Sequence, residues 1–139
     1  MKLSTESRYA ILALVVLAGK PADTVVEAGT VAEEAGVPAP FLSKTFAKLT
    51  RHGILSSHRG RVRGYSLARS SADISLREVL EAIDGPDLFQ RCVFWTDTCD
   101  DEAPCPLHPA WKDLRPKITE AMGGTSLADV AAGRAKLSA

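Results

Sequence analysis

Ten consecutive apolar residues, Tyr9 to Ala18, dominate the first part of the chain. Ser4 and Thr5 can cap a helix ahead of this run, and Gly19 with Pro21 stops it. A helix apolar on every side is a buried one, so the pattern predicts a central helix ending near Leu17. A second helix is expected from about Glu27 to Ala35, with Val31, Ala32 and Ala35 on one face. Gly36 stands where a left-handed C-terminal cap belongs. A third runs from about Pro38 to His52, before Gly53. Phe41, Leu42, Phe46 and Leu49 recur at helical spacing and face inward, leaving Pro40, Ser43, Lys44 and Lys48 on the other side.

The period then changes. Ile54 to Arg59 reads as a strand, Gly60 to Gly64 as a turn, and Tyr65 to Ala68 as the returning strand. Ile74, Val79, Leu80 and Ile83 predict a further helix, opened by Asp73 or Ser75 and closed at Gly85-Pro86, with Ser75 and Glu78 spaced as a capping box. A segment from Asp87 to Pro109 shows no period. Beyond it, Trp111, Leu114, Ile118 and Ala121/Met122 mark a long helix from Pro109 to Met122, ended by Gly123-Gly124. A short helix from Ser126 to Ala132 closes before Gly133, and Arg134 to Ala139 is expected to fray.

Two helices joined by Gly36-Val37-Pro38 and followed by a hairpin form a winged helix-turn-helix. The fold class is therefore mainly α with a small β-hairpin wing, followed by a long dimerisation helix. The expected organisation is a DNA-binding unit over 1–85, a ligand segment over 86–108, dimerisation helices over 109–133 and a tail over 134–139.

Charge sharpens this picture. The 139 residues sum to zero, but residues 1–69 carry ten Lys/Arg against five Asp/Glu, net +5, and residues 70–139 carry seven against twelve, net −5. One end thus suits a polyanion. Arg59, Arg61 and Arg63 crowd the hairpin tip, and the planar guanidinium fits phosphate or a narrow minor groove. The candidate DNA contacts are Lys2, Arg8, Pro40, Ser43, Lys44, Lys48, Arg51, Arg59, Arg61 and Arg63. The longest apolar run is about half of the ~20 residues that span a bilayer, and no secretory signal is visible, so a cytoplasmic protein with reduced thiols is expected.

All three cysteines fall in one stretch with a histidine: Cys92-x6-Cys99-x5-Cys105-x2-His108. Three thiolates and an imidazole make a four-ligand set for an iron–sulfur cluster or a zinc ion. The odd count argues against a purely structural disulfide framework. The wide gaps lean toward the cluster, because structural zinc favours tight knuckles. Asp97, Asp100, Asp101 and Glu102 in the same segment are harder donors and read as solubilising charge. Nothing along the chain resembles a nucleophile–base pair, and an enzyme or electron carrier would leave the three wing arginines idle.

Several motifs together resemble the IscR/NsrR/RirA family of bacterial winged-helix regulators, the Rrf-two family. They are Met-Lys-Leu-Ser with Arg8-Tyr9-Ala10, Phe41-Leu42 with Leu49, the hairpin from Gly53 to Gly60 and Gly64 to Ala68, Asp73-Ile74-Ser75-Leu76 with Val79, and Cys105 through Leu114. The resemblance covers nearly all of residues 1–133. The apolar stripe of the helix from Pro109 to Met122 needs a partner, so a homodimer is expected, whose two-fold symmetry matches a palindromic operator in double-stranded DNA. The cysteine pattern is most similar to the IscR branch, which implies a [2Fe–2S] cluster on Cys92, Cys99, Cys105 and His108. The first gap is six where that branch usually has five, and the wing tip Arg61-Val62-Arg63 is poorer in glycine than is usual. Position 8 is arginine where the nitric-oxide-sensing branch has an aspartate, which weakens the alternative [4Fe–4S] cluster. A zinc-bound or cluster-free regulator sensing through its thiols remains the second reading.

Overall fold

In the computed structural model, which describes residues 3–91 and 106–138 (side chains to 133), Ser4 opens the first helix as the pattern requires. Its hydroxyl accepts the Ser7 amide at 3.0 Å, and α1 spans Thr5–Ala18. α2 is Ala28–Ala35, and Gly36 closes it in the left-handed conformation, φ 69°. α3 is Ala39–Arg51, with Pro40 in its first turn, where a missing N–H removes no helix bond. Leu14, Val31, Leu42, Phe46 and Leu49 are fully buried where these three helices meet. Each such side chain contributes about 1.5–3 kcal/mol relative to leaving it in water.

Phe41 departs from expectation. It is 49% exposed. The buried stripe of α3 is Leu42, Thr45, Phe46 and Leu49, which puts residue 41 on the rim of the helix. Its ring stands edge-on to Tyr9, with centroids 5.4 Å apart.

β1 (Leu55–His58) and β2 (Gly64–Leu67) pair antiparallel, from Leu55 opposite Leu67 to His58 opposite Gly64. The pattern did not foresee Val26, which pairs with Tyr65 through two backbone bonds of 2.9 and 2.8 Å. This contact explains Gly64. Its φ is +133°, and a Cβ there would run into the Val26 carbonyl. The Tyr65 ring also meets Phe46 edge-on at 4.9 Å, so the hairpin root is fastened to both α3 and the α1–α2 connection.

A single 3-10 turn at Ser71–Asp73 leads into α4, Leu76–Asp84, whose capping box is complete: Ser75 accepts the Glu78 amide, and Glu78 accepts the Ser75 amide. The segment read as aperiodic from Asp87 begins with a second 3-10 turn, Leu88–Gln90. Leu88 and Phe89 bury against Leu80 there. Three residues are too few to display a period.

α5 is His108–Gly123 and carries Pro116 in its interior. α6 is Leu127–Ser138 and continues through Gly133, where a stop was expected. An isolated glycine costs only about 1 kcal/mol against alanine in a helix, and Ala131, Ala132 and Ala135 surround it. α6 lies along α1, and Leu127 is fully buried in the main core. Bonds from Leu127 N to Ile74 O and from Leu76 N to Thr125 O, both 2.9 Å, join it to the approach to α4. Among the described residues no helix is long and apolar enough to cross a membrane.

Candidate nucleic-acid interface

Packing dictates which side chains α3 offers outward. With Leu42, Thr45, Phe46 and Leu49 turned inward, Pro40, Ser43, Lys44, Ala47 and Arg51 are exposed. At the hairpin tip, Arg59, Arg61 and Arg63 are exposed with Val62 between them. Among the described residues, none of Lys44, Arg51, Arg59, Arg61 and Arg63 forms an ion pair. By contrast Lys20, Arg69, Arg77 and Arg91 all pair with carboxylates. These five cations lie on one helix face and one wing, as an electrostatic footprint for phosphate demands.

Lys48 is in a different position. It is half-buried, and its Nζ donates to Glu6 Oε2 at 3.0 Å. The other Glu6 oxygen accepts from the buried hydroxyl of Thr45 at 3.1 Å. α1 thereby holds α3 by an ion pair and by a hydroxyl bond to the same carboxylate. Arg8 is exposed on α1, its guanidinium 5.9 Å from the Tyr9 ring centroid. Lys2 lies outside the described residues. The imidazoles of the hairpin region also have local partners: His58 Nε2 lies 2.8 Å from Ser66 Oγ, and His52 Nδ1 lies 2.8 Å from the Lys48 carbonyl.

Of the sulfur-rich set, Cys92, Cys99 and Cys105 lie outside the described residues, and His108 is the buried first residue of α5. The ends of the segment that carries the cysteines are tied together. Trp111, one turn into α5, donates its indole N–H to the Arg91 carbonyl at 3.1 Å, and Arg115 reaches the Gln90 carbonyl at 3.4 Å. The chain therefore leaves at Arg91 and returns at 106–108 within a closed stem. Three thiols between the ends of that stem, with an imidazole at its foot, fit the donor set of a four-ligand site. Among the described residues themselves no metal-ligating group of three forms.

The pattern missed Glu6, Asp84 and Val26. Asp84 accepts from Ser7 77 residues earlier. No local spacing signals such a contact, although an unpaired acid at a helix end is a recurrent partner for another helix's first turn.

A family described as "Rrf2: Iron-dependent Transcriptional regulator" matches residues 3–133. Rv1287 of Mycobacterium tuberculosis is 36% identical over 133 residues, 96% of this chain and 83% of its own. The HTH-type transcriptional regulator IscR of Xenorhabdus nematophila is 31% identical over 130 residues, 94% of this chain and 79% of its own. Among solved structures, CymR, the global cysteine regulator of B. subtilis, superposes with a TM-score of 0.78 at 24% identity, over 95% of this chain and 97% of its own. IscR of T. potens gives 0.74 at 24% identity, over 96% and 88%. These two share the winged-helix fold.

Proposed function

Since this chain belongs to the Rrf2 family and is a DNA-binding transcriptional regulator, we propose that an iron–sulfur cluster on its sulfur-rich segment sets its affinity for an operator. The observation that carries the reading is the donor set, Cys92, Cys99, Cys105 and His108, on a stem closed by Trp111. The cluster would be a [2Fe–2S] centre and would supply a labile, redox-active group, and the Arg at position 8 offers no carboxylate to a [4Fe–4S] alternative. Zinc is the other metal the donors accept.

The protein's own residues perform the recognition. Ser43 and Lys44, near the start of α3, reach base edges in the major groove. Arg59, Arg61 and Arg63 hold phosphate or minor groove from the wing. α5 packs mainly on α4 and the turn at 88–90, which leaves Leu107 and Leu114 exposed and Ile118 half-exposed. A second copy covers that face, and its two-fold symmetry suits a palindromic operator. Iron chemistry of this kind also fits a cytoplasmic setting.

The test is a visible spectrum of anaerobically purified protein, followed by operator affinity with and without the cluster at one salt concentration. Brown protein is expected, bleached by alanine at any of the three cysteines, with the two forms differing by ~1–3 kcal/mol in operator affinity. Colourless protein whose affinity follows thiol oxidation would install the cysteine-sensing reading instead.

A further inference from the structure

Arg91 is the last described residue before Cys92, and its guanidinium reaches back into α4. Nη2 donates to the Asp84 carbonyl at 2.9 Å and to Asp87 Oδ1 at 2.8 Å. The Asp84 carboxylate faces the opposite way, into the first turn of α1. Its Oδ2 accepts the Ser7 hydroxyl at 2.6 Å and the Ser4 amide at 3.4 Å. In that same turn Glu6 accepts from Thr45 and Lys48 of α3, at 3.1 and 3.0 Å. Ser7 and Thr45 are both completely buried. Every step between Arg91 and α3 is therefore a polar contact to a carboxylate or a carbonyl, or a stretch of helix backbone.

We propose that Asp84 and Glu6 are positioning residues for DNA recognition, which pass the placement of the Arg91 end of the cysteine segment through the first turn of α1 to α3. The inference rests on the reading that this segment changes state with its cluster. Physically, the Ser7–Asp84 bond is short and charge-assisted, and such bonds tolerate little displacement. α1, α3 and α4 are packed helices around one core, so they move as units rather than absorbing a shift. Glu6 grips α3 at Thr45, the residue after Lys44, and at Lys48, one turn beyond it. Any rotation of the α1 terminus is felt where the base-reading side chains leave the helix. A plain structural tie would fasten α4 to α1 and stop there. This arrangement continues to the reading surface.

The relay makes distant residues energetically dependent. Arg91 and Glu6 do not touch, so Arg91→Ala and Glu6→Gln should act independently if nothing connects them. The experiment is a double-mutant cycle on operator binding by the cluster-free full chain, using a duplex selected from random sequences by the wild-type protein. We expect the combined variant to deviate from the product of the single effects by roughly fivefold. Ser7→Ala, a small change inside a helix, should return the cycle to additivity without shifting the melting temperature enough to account for it. A cycle that is additive within about twofold overturns the proposal. So does coupling that survives Ser7→Ala. The wild-type protein is measured alongside with and without its cluster. Equal affinities there would remove cluster control while the cycle still decides the relay.

Discussion

At Glu78 one carboxylate closes the capping box of α4 and also takes a 2.8 Å ion pair from Arg69. The Ser75 amide, then the Arg69 guanidinium, hold this carboxyl below its ordinary value of 4.5. A depressed acid contributes stability that is fully present above its unfolded-state value and is lost as pH falls through the folded one. Glu78→Gln should therefore lower the melting temperature near neutrality. The effect should be under about 1 kcal/mol, because the pair is exposed to solvent. The gap between variant and wild type should narrow as the pH falls below the ordinary carboxyl value and close once it has passed through the depressed folded one, as thermal melts across pH would show. Single residues of this kind were legible when their partner lay within one turn: Ser4, Gly36 and the Ser75–Glu78 pair all follow from local spacing. Glu6, Asp84 and Val26 were not, because their partners lie 39 to 80 residues away.

The elements divide the work of binding DNA, and the division is measurable. On the proposed reading, a wing arginine would meet phosphate and carry no sequence information directly, whereas a residue near the start of α3 would meet base edges. Arg61→Ala should weaken binding to every duplex and lower the slope of log affinity against log salt by about one unit. Lys44→Ala should reduce the preference for the selected operator over its point variants, by about 1–3 kcal/mol at the affected base pair. Salt titrations on both variants separate the two roles. A Lys44 variant that loses affinity uniformly would move it into the phosphate class. All six helices and the hairpin were legible: α1 as an unbroken apolar run between capping and breaking residues, α2–α5 mainly by helical period, and the hairpin and α6 by the glycines and polar residues that bound them. The turn at Leu88–Gln90 was not, since three residues hold no period. The length of α6 was misjudged for another reason: Gly133 reads as a stop only if its alanine neighbours are ignored.

The whole molecule has its positive charge at one end of the sequence and an apolar face on α5 toward the other. If that face is where two copies meet, changing Leu114 and Ile118 together to glutamate should give monomers in sedimentation, with α1–α3 still folded by circular dichroism. A variant that sediments as a dimer would place the contact elsewhere. Between the two ends stands the root of the wing, where Tyr65 is paired to Val26 and Gly64 admits no side chain. Fixing the root confines the wing's freedom to residues 59–63, between the paired His58 and Gly64. Ordering each of these on DNA costs about 1–2 kcal/mol of conformational entropy. The tip behaves as an entropic spring on a rigid mount. If the three arginines hold DNA as proposed, the tip would add net affinity where the groove lets them bind without freezing all of it, and preference for groove shape would arise from freedom retained rather than from any base touched.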